Sequence, residues 1–295
     1  MIGSLFAASS CNEEVDLDGY LNTPFVDVGT AEYTFPDPPA DVVRKVLLED
    51  FTGHKCGNCP RAAEKITEIL GMPQYADNVI AVAIHGDGGD FNSFNPDDTM
   101  FYYDYTTPEG IDLDRDFGVS AKGLPNGLVN RKEYENNLIL GHSNWQAAID
   151  QALSEEPAAW VDLHAQYDGT SNKYITIDTR IKMLENYPNP INVNVILVEN
   201  NIVNWQVDYD ANPKRIPNYV HKHVMRYNHE LENRNLFGTW GVSLSGTNQN
   251  IDEVKRVTTT LNGTDWNLDN LYAIAYIYDA TTKEVLQVNE VHVTK

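Results

Sequence analysis

The sequence predicts an α/β domain followed by an all-β sandwich, and three observations carry that expectation. Compact apolar runs alternate with helical patterns over residues 41–157, as in a layered α/β structure. Beyond residue 158 the apolar period falls to two, the repeat of strands with one face inward. Between the first run and the first helical pattern stands Cys56-Gly57-Asn58-Cys59, at a strand-to-helix turn.

Val42-Val43-Arg44-Lys45-Val46-Leu47-Leu48-Glu49-Asp50-Phe51 is nearly continuous in apolar residues, which fits a strand covered on both faces. Pro60 follows the second cysteine. Ala62, Ala63, Ile66, Ile69 and Leu70 then recur at helical spacing until Gly71 and Pro73 stop the pattern. Val79–Ile84 is a second buried strand, and Leu128-Val129-Asn130 a short third. Trp145–Leu153 is a helix, with Ser143 as N-cap and Pro157 as stop. The segments Val161-Leu163-Ala165-Tyr167, Ile175-Ile177-Thr179-Ile181, Val193-Val195-Leu197 and Tyr272-Ile274-Tyr276-Tyr278 alternate faces. Turn residues between them suit a two-sheet, immunoglobulin-like sandwich of about seven strands. The domains expected are a tether over 1–40, an α/β domain over 41–157 and the sandwich over 158–295.

The formal charge is -22, from 43 acidic and 21 basic residues. Such a surface repels phosphate backbones, so nucleic acid is not an expected partner. No run approaches the roughly 18 apolar residues of a transmembrane helix. Membrane attachment must then come from elsewhere. Ile2–Ala8 is a short apolar stretch, followed by Ser9, Ser10 and Cys11. It resembles the end of a bacterial lipoprotein signal, although only ten residues precede Cys11 and none of them is basic. Asn12, Glu13, Glu14 and Asp16 resemble an acidic tag for the outer face of the outer membrane. The resemblance implies a lipid on Cys11 as the sole membrane anchor, an outer-membrane location and exposure at the cell surface. Residues 12–40 are rich in Asp, Glu, Pro and Gly and read as a tether.

At a strand-to-helix turn the first cysteine lies near the helix N-terminus, where free amides and the dipole stabilise a thiolate. Cys56 is therefore the expected nucleophile and Cys59 the resolving thiol. His54 and Lys55 would depress the Cys56 pKa if turned toward the sulfur. The surrounding residues resemble thioredoxin. Asp50-Phe51 precede the first cysteine at the thioredoxin spacing, which gives Asp50 the role of moving protons for Cys59. Phe117-Gly118-Val119 and Gly123-Leu124-Pro125 resemble the loop whose cis-proline faces the cysteines, which implies a cis Leu124-Pro125 bond with Pro125 against Cys56. Lys55 stands where thioredoxin has tryptophan, and Asn126 where it has threonine or serine, so substrate docking differs or is absent. His85 and Pro125 are 40 positions apart, more than twice the minimal thioredoxin spacing. The excess is an insertion at about 86–116, on the sheet edge that presents the cysteines. Its Phe91, Phe94, Met100, Phe101, Tyr102, Tyr103 and Tyr105 either wall the site or form a satellite core.

The pattern from Leu48-Glu49-Asp50-Phe51-Thr52-Gly53 through the cysteine pair to Tyr219-Val220-His221-Lys222-His223-Val224 and Thr239-Trp240-Gly241-Val242 resembles the twenty-eight-kilodalton outer-membrane-protein family of Bacteroidetes-type lipoproteins. That resemblance implies location and architecture and leaves activity open.

No metal and no cofactor are expected. Cys56, Cys59 and His54 lack a fourth zinc ligand. His221 and His223 read as a sheet-face pair with Tyr219 and Met225. Asp112-Leu113-Asp114-Arg115-Asp116 begins like a calcium loop but lacks its glycine and terminal acid, so a solvated acidic loop is expected. The Asp87, Asp90, Asp97 and Asp98 cluster leaves calcium open. Two functions fit: a lipid-tethered thiol-disulfide oxidoreductase acting on extracytoplasmic protein thiols and disulfides, or a binding lipoprotein with a static disulfide that meets a surface ligand.

Overall fold

The computed structural model describes residues 33–170, 173–227 and 237–295. The lipid-attachment residue Cys11 lies outside them. The first half contributes strands β1 (Val46–Phe51), β2 (Val79–Ile84) and β3 (Asn126–Val129) and helices α1 (Cys59–Leu70), α2 (Pro108–Phe117) and α3 (Trp145–Leu153). The second half contributes β4 (Ala159–Tyr167), β5 (Tyr174–Met183), β6 (Ile191–Glu199), β7 (Ile202–Val207), β8 (Arg215–His221), β9 (Val224–Arg226), β10 (Val242–Ser243), β11 (Asp252–Thr260), β12 (Leu271–Asp279) and β13 (Val285–His292). The mixed α/β first half and the β-rich second half are thus as expected.

Two local expectations are corrected. Residues 142–144 form a short 3-10 turn, so the N-cap of α3 is Asn144 and not Ser143. The acidic run 112–116 is helical, because Thr107 caps α2 by accepting the Gly110 amide and Gly118 closes it in the left-handed conformation. Leu113 and Asp114 turn inward on that helix.

The division expected at residues 157 and 158 is also corrected. One sheet runs β13-β12-β6-β9-β2-β1-β3, with β10 on β6, and so takes strands from both halves. The joint is β9, which pairs with β2 at Ala83–Val224 and with β6 from Leu197 to Glu199. Strand alternation explains the continuity. Leu47, Phe51, Ile80, Val82, Ile196, Val198, Ile274, Tyr276 and Tyr278 all enter one cluster, which Leu113 of α2 joins. The other face is split: Val46, Leu48 and Ala81 pack under α1 and α3, whereas Val193, Val195, Ala273 and Ile277 meet the sheet β11-β5-β4. The described residues from Phe35 to Lys295 form one compact unit.

The two ends of the strand path also meet. Val285 N donates to Asn130 O at 2.8 Å, Arg44 Nη2 to Val285 O at 3.0 Å and Lys45 N to the Gln287 side chain at 2.8 Å. Strands β7 and β8 form a separate hairpin.

Candidate functional site

Cys56 and Cys59 form a disulfide with Cα atoms 5.4 Å apart. The loop before α1 is tightly wound: Cys56 N donates to Gly53 O and Cys59 N to Cys56 O. Asn58 caps the helix without a side-chain bond, and Cys59 is its first residue. The first-turn amides therefore point at the loop that carries the sulfurs.

Both cysteines are 2% exposed, because two remote segments cover the loop. The first is the expected insertion. Lys55 N donates to Phe91 O at 3.0 Å, and Asn92 Nδ2 donates to Thr52 O and Gly86 O. His54 Nε2 lies 3.0 Å from Ser93 O, and Lys55 Nζ donates to Ser93 Oγ and sits over the Phe101 ring. The two residues expected to modulate Cys56 thus engage the insertion. Its aromatics divide: Phe101 and Tyr105 are buried at the site, whereas Phe91, Phe94 and Tyr102 are exposed.

The second cover was not foreseen. Val207 N donates to His54 O and Tyr209 N to Gly57 O, both at 2.8 Å. Gln206 Nε2 donates to Gly53 O and Cys56 O, and Asp210 holds Arg61 through two hydrogen bonds of 2.6 and 2.8 Å. The β7–β8 hairpin is therefore docked on the cysteine loop largely through main-chain carbonyls. Gly57 is the residue that permits it, since a Cβ there would lie 2.3 Å from the Tyr209 ring. We expect Gly57→Ala to cost about 1–3 kcal/mol, as overpacking does, and to speed reduction of the disulfide severalfold. Thermal unfolding and a timed phosphine reduction check both effects.

Asp50 lies beneath the loop. It shares with Leu48 the face of β1 toward α1, pairs in register with Ala83 and Gly127, and is 2% exposed. Its Oδ1 has no hydrogen-bond partner within the protein. Burial pushes its pKa up to about 8. Asp50 and Cys59 line one cavity of about 790 Å³, together with His85, Gln206, Tyr219 and His221. The Leu124-Pro125 bond is cis and immediately precedes β3, whose Asn126 pairs with Phe51.

The histidines expected to form a pair are separated. His221 is buried at the end of β8 with the Tyr219 ring 4.9 Å away. His223 lies past the strand end in a left-handed turn, where its Nε2 is 3.3 Å from Glu290. Among the described residues no group of three or more His, Cys, Asp or Glu side chains is placed to share a metal ion. None of their helices is long and apolar enough to cross a membrane.

HBP35 of Porphyromonas gingivalis shares the fold, with a TM-score of 0.63 at 16% identity over 86% of this chain and 76% of that one. A domain of the outer membrane lipoprotein Omp28 from Porphyromonas gingivalis aligns at 21% identity with a TM-score of 0.31, over 46% of this chain and 96% of that one. No curated protein sequence matches. The profile of outer membrane protein Omp28 matches residues 112–295, a segment that contains the hairpin and excludes the cysteine pair. That segment is more than half of the chain, and the protein belongs to the Omp28 family of outer membrane proteins.

Proposed function

We propose that the protein is a surface-exposed outer-membrane lipoprotein, anchored through Cys11, that exchanges disulfides with extracytoplasmic proteins. Its first half is read as thioredoxin-like with an insertion, and its second half as an immunoglobulin-like sandwich sharing the large sheet. The observation that carries the redox reading is Asp50: a buried carboxyl with an unpartnered oxygen, lining the same cavity as Cys59. Buried groups with displaced pKa values cluster at working sites. In the reduced protein the Cys56 thiolate attacks a target disulfide, forms a mixed disulfide and expels one target thiolate. Asp50, in its ionised fraction near its raised pKa of about 8, accepts the Cys59 proton. Cys59 then attacks the Cys56 sulfur, the Cys56–Cys59 bond re-forms, and the second target thiolate leaves with the electron pair. The reverse sequence oxidises a target dithiol.

Asp50→Asn tests the assignment. The carboxyl has an ordinary pKa of 3.8 when unfolded and about 8 when folded. The stability of the neutral acid is fully present below about pH 4 and is lost as pH rises toward 8. The variant should therefore be more stable than the parent by up to about 4 kcal/mol at pH 7–8, with no gain below pH 4. Urea unfolding at the two pH values measures this. The redox reading further requires the variant to resolve a mixed disulfide at least tenfold more slowly.

One observation favours a binding protein with a static disulfide, namely the burial of both cysteines under two covers. The reduction potential separates the readings. A value below about -300 mV, as structural disulfides have, together with an unchanged exchange rate in Asp50→Asn, would replace the enzyme by the scaffold.

A further inference from the structure

The segments that close over the disulfide meet at one buried cluster of histidines. His54 comes from the cysteine loop, His85 follows β2, and His221 ends β8 of the hairpin. Their relative exposures are 1%, 2% and 6%. The His54 and His85 ring centroids are 6.4 Å apart, and those of His85 and His221 are 6.3 Å apart. Tyr105 of the insertion fits among all three, at 5.6, 4.8 and 5.1 Å from His54, His85 and His221. Phe101 stacks on His54 at 5.4 Å. The cluster is thus the place where the cysteine loop, the insertion and the hairpin hold one another.

This packing accepts neutral rings only. An imidazolium donates from both nitrogens, yet neither nitrogen of His85 nor Nε2 of His221 has a partner. Asp104 acts as a counter-charge on His54, whereas among the described residues no acidic group raises the pKa of His85 or His221. Lys55 and Arg226 are positive, and Arg226 is committed to Glu199 at 3.2 Å and Asp265 at 3.4 Å. Asp104 is held by Thr106 N and Oγ1. Burial raises the Asp50 pKa to about 8, so most of that carboxyl is neutral over the pH range of the latch, and Tyr103, Tyr105 and Tyr219 are pushed to higher pKa by theirs.

We infer that the cluster is an acid-operated latch, in which protonation of His54, His85 and His221 releases the hairpin and the insertion and opens the Cys56–Cys59 disulfide. The opening concerns access alone and holds whether the disulfide is catalytic or static. Burial, followed by mutual repulsion, holds the His85 pKa well below its ordinary value, and burial holds His221 near 4. An imidazole that reaches water titrates near 6.5. Mild acid therefore protonates the open form and not the closed one. Between pH 7.5 and pH 5 the open population should rise roughly 25-fold for each such histidine freed.

The test uses the full, oxidised protein and tris(2-carboxyethyl)phosphine, with rates normalised at each pH to an oxidised Cys-Gly-Asn-Cys peptide. The normalised rate should rise at least a hundredfold from pH 7.5 to pH 5, and the rise should be at least tenfold smaller in His221→Gln, which leaves His54 and His85 to titrate. A rate independent of pH in the parent, or a full rise in His221→Gln, would overturn the inference. A second measurement needs no variant. The Val207 and Tyr209 amides, bonded to the His54 and Gly57 carbonyls, should lose hydrogen-exchange protection in acid after correction for intrinsic rates, while the β12 amides keep theirs. Equal loss at both places would mean general acid unfolding, and unchanged protection at Val207 and Tyr209 would mean that no latch exists.

Discussion

Arg131→Met is expected to destabilise the protein by about 3–5 kcal/mol, because it strands a buried carboxylate. Arg131 Nε and Nη2 donate to Glu49 at 2.8 and 2.6 Å, and Nη2 also donates to the Tyr276 hydroxyl at 3.0 Å. The side chains of Arg131 and Glu49 are 0% and 3% exposed, and the guanidinium lies 5.0 Å from the Tyr276 ring centroid. Burying two charges is costly in itself, so the pair need not exceed an apolar replacement in stability. Arg131→Met combined with Glu49→Gln should therefore recover most of the loss. Urea unfolding of the two single variants and the double variant measures the cycle, and a double variant no better than Arg131→Met would refute it.

A fragment beginning at Ala158 is expected to lose cooperative folding altogether. Strands β6 and β12 bury Val193, Val195 and Ile277 against the smaller sheet, yet Ile196, Val198, Ile274, Tyr276 and Tyr278 of the same strands lie against the first half. Without residues 33–157 those five side chains face water. At about 1.5–3 kcal/mol each, the loss is roughly 8–15 kcal/mol, comparable with the whole stability of an ordinary domain. Circular dichroism through a denaturant titration should show no sigmoidal transition. A soluble fragment with a sharp transition and a β-type spectrum would show that the second half closes its own core.

These two effects mark where the sequence was and was not legible. The strand, cysteine loop and helix at the site were readable because each is set by residues within about one turn of one another. The amphipathic spacing of Ala62, Ile66 and Ile69 needs no distant information. Helix α2 carried its signals as well, in Thr107, Pro108 and Gly118, but the acidic run around Leu113 hid its apolar face. The change of period near residue 158 is real, yet period reports strand type and not which sheet a strand joins. Three residues of β9 carry the joint, and no spacing announces them. The carboxylates of Glu49 and Asp50 are adjacent in sequence, and only the alternation of β1 gives one of them an arginine and leaves the other without. The hairpin contacts with the cysteine loop span 149 to 153 positions, and the histidine cluster likewise joins distant turns. Such long-range juxtapositions leave no local signature.

The meeting of Arg44 and Lys45 with Val285 and Gln287 bears on how fast this protein can fold. These hydrogen bonds bridge 241 and 242 positions, so the first strand gains its last neighbours only when nearly the whole chain is present. Chain-closure entropy has to be overcome before such contacts return any free energy, and proteins dominated by remote pairings fold in milliseconds to seconds or longer. A nascent or exported chain therefore spends that interval with the Lys45 amide and the Asn130 carbonyl, beside β1 and β3, without their partners and open to association with other chains. The acidic surface, at a formal charge of -22, opposes that association through like-charge repulsion until the two ends of the sheet meet.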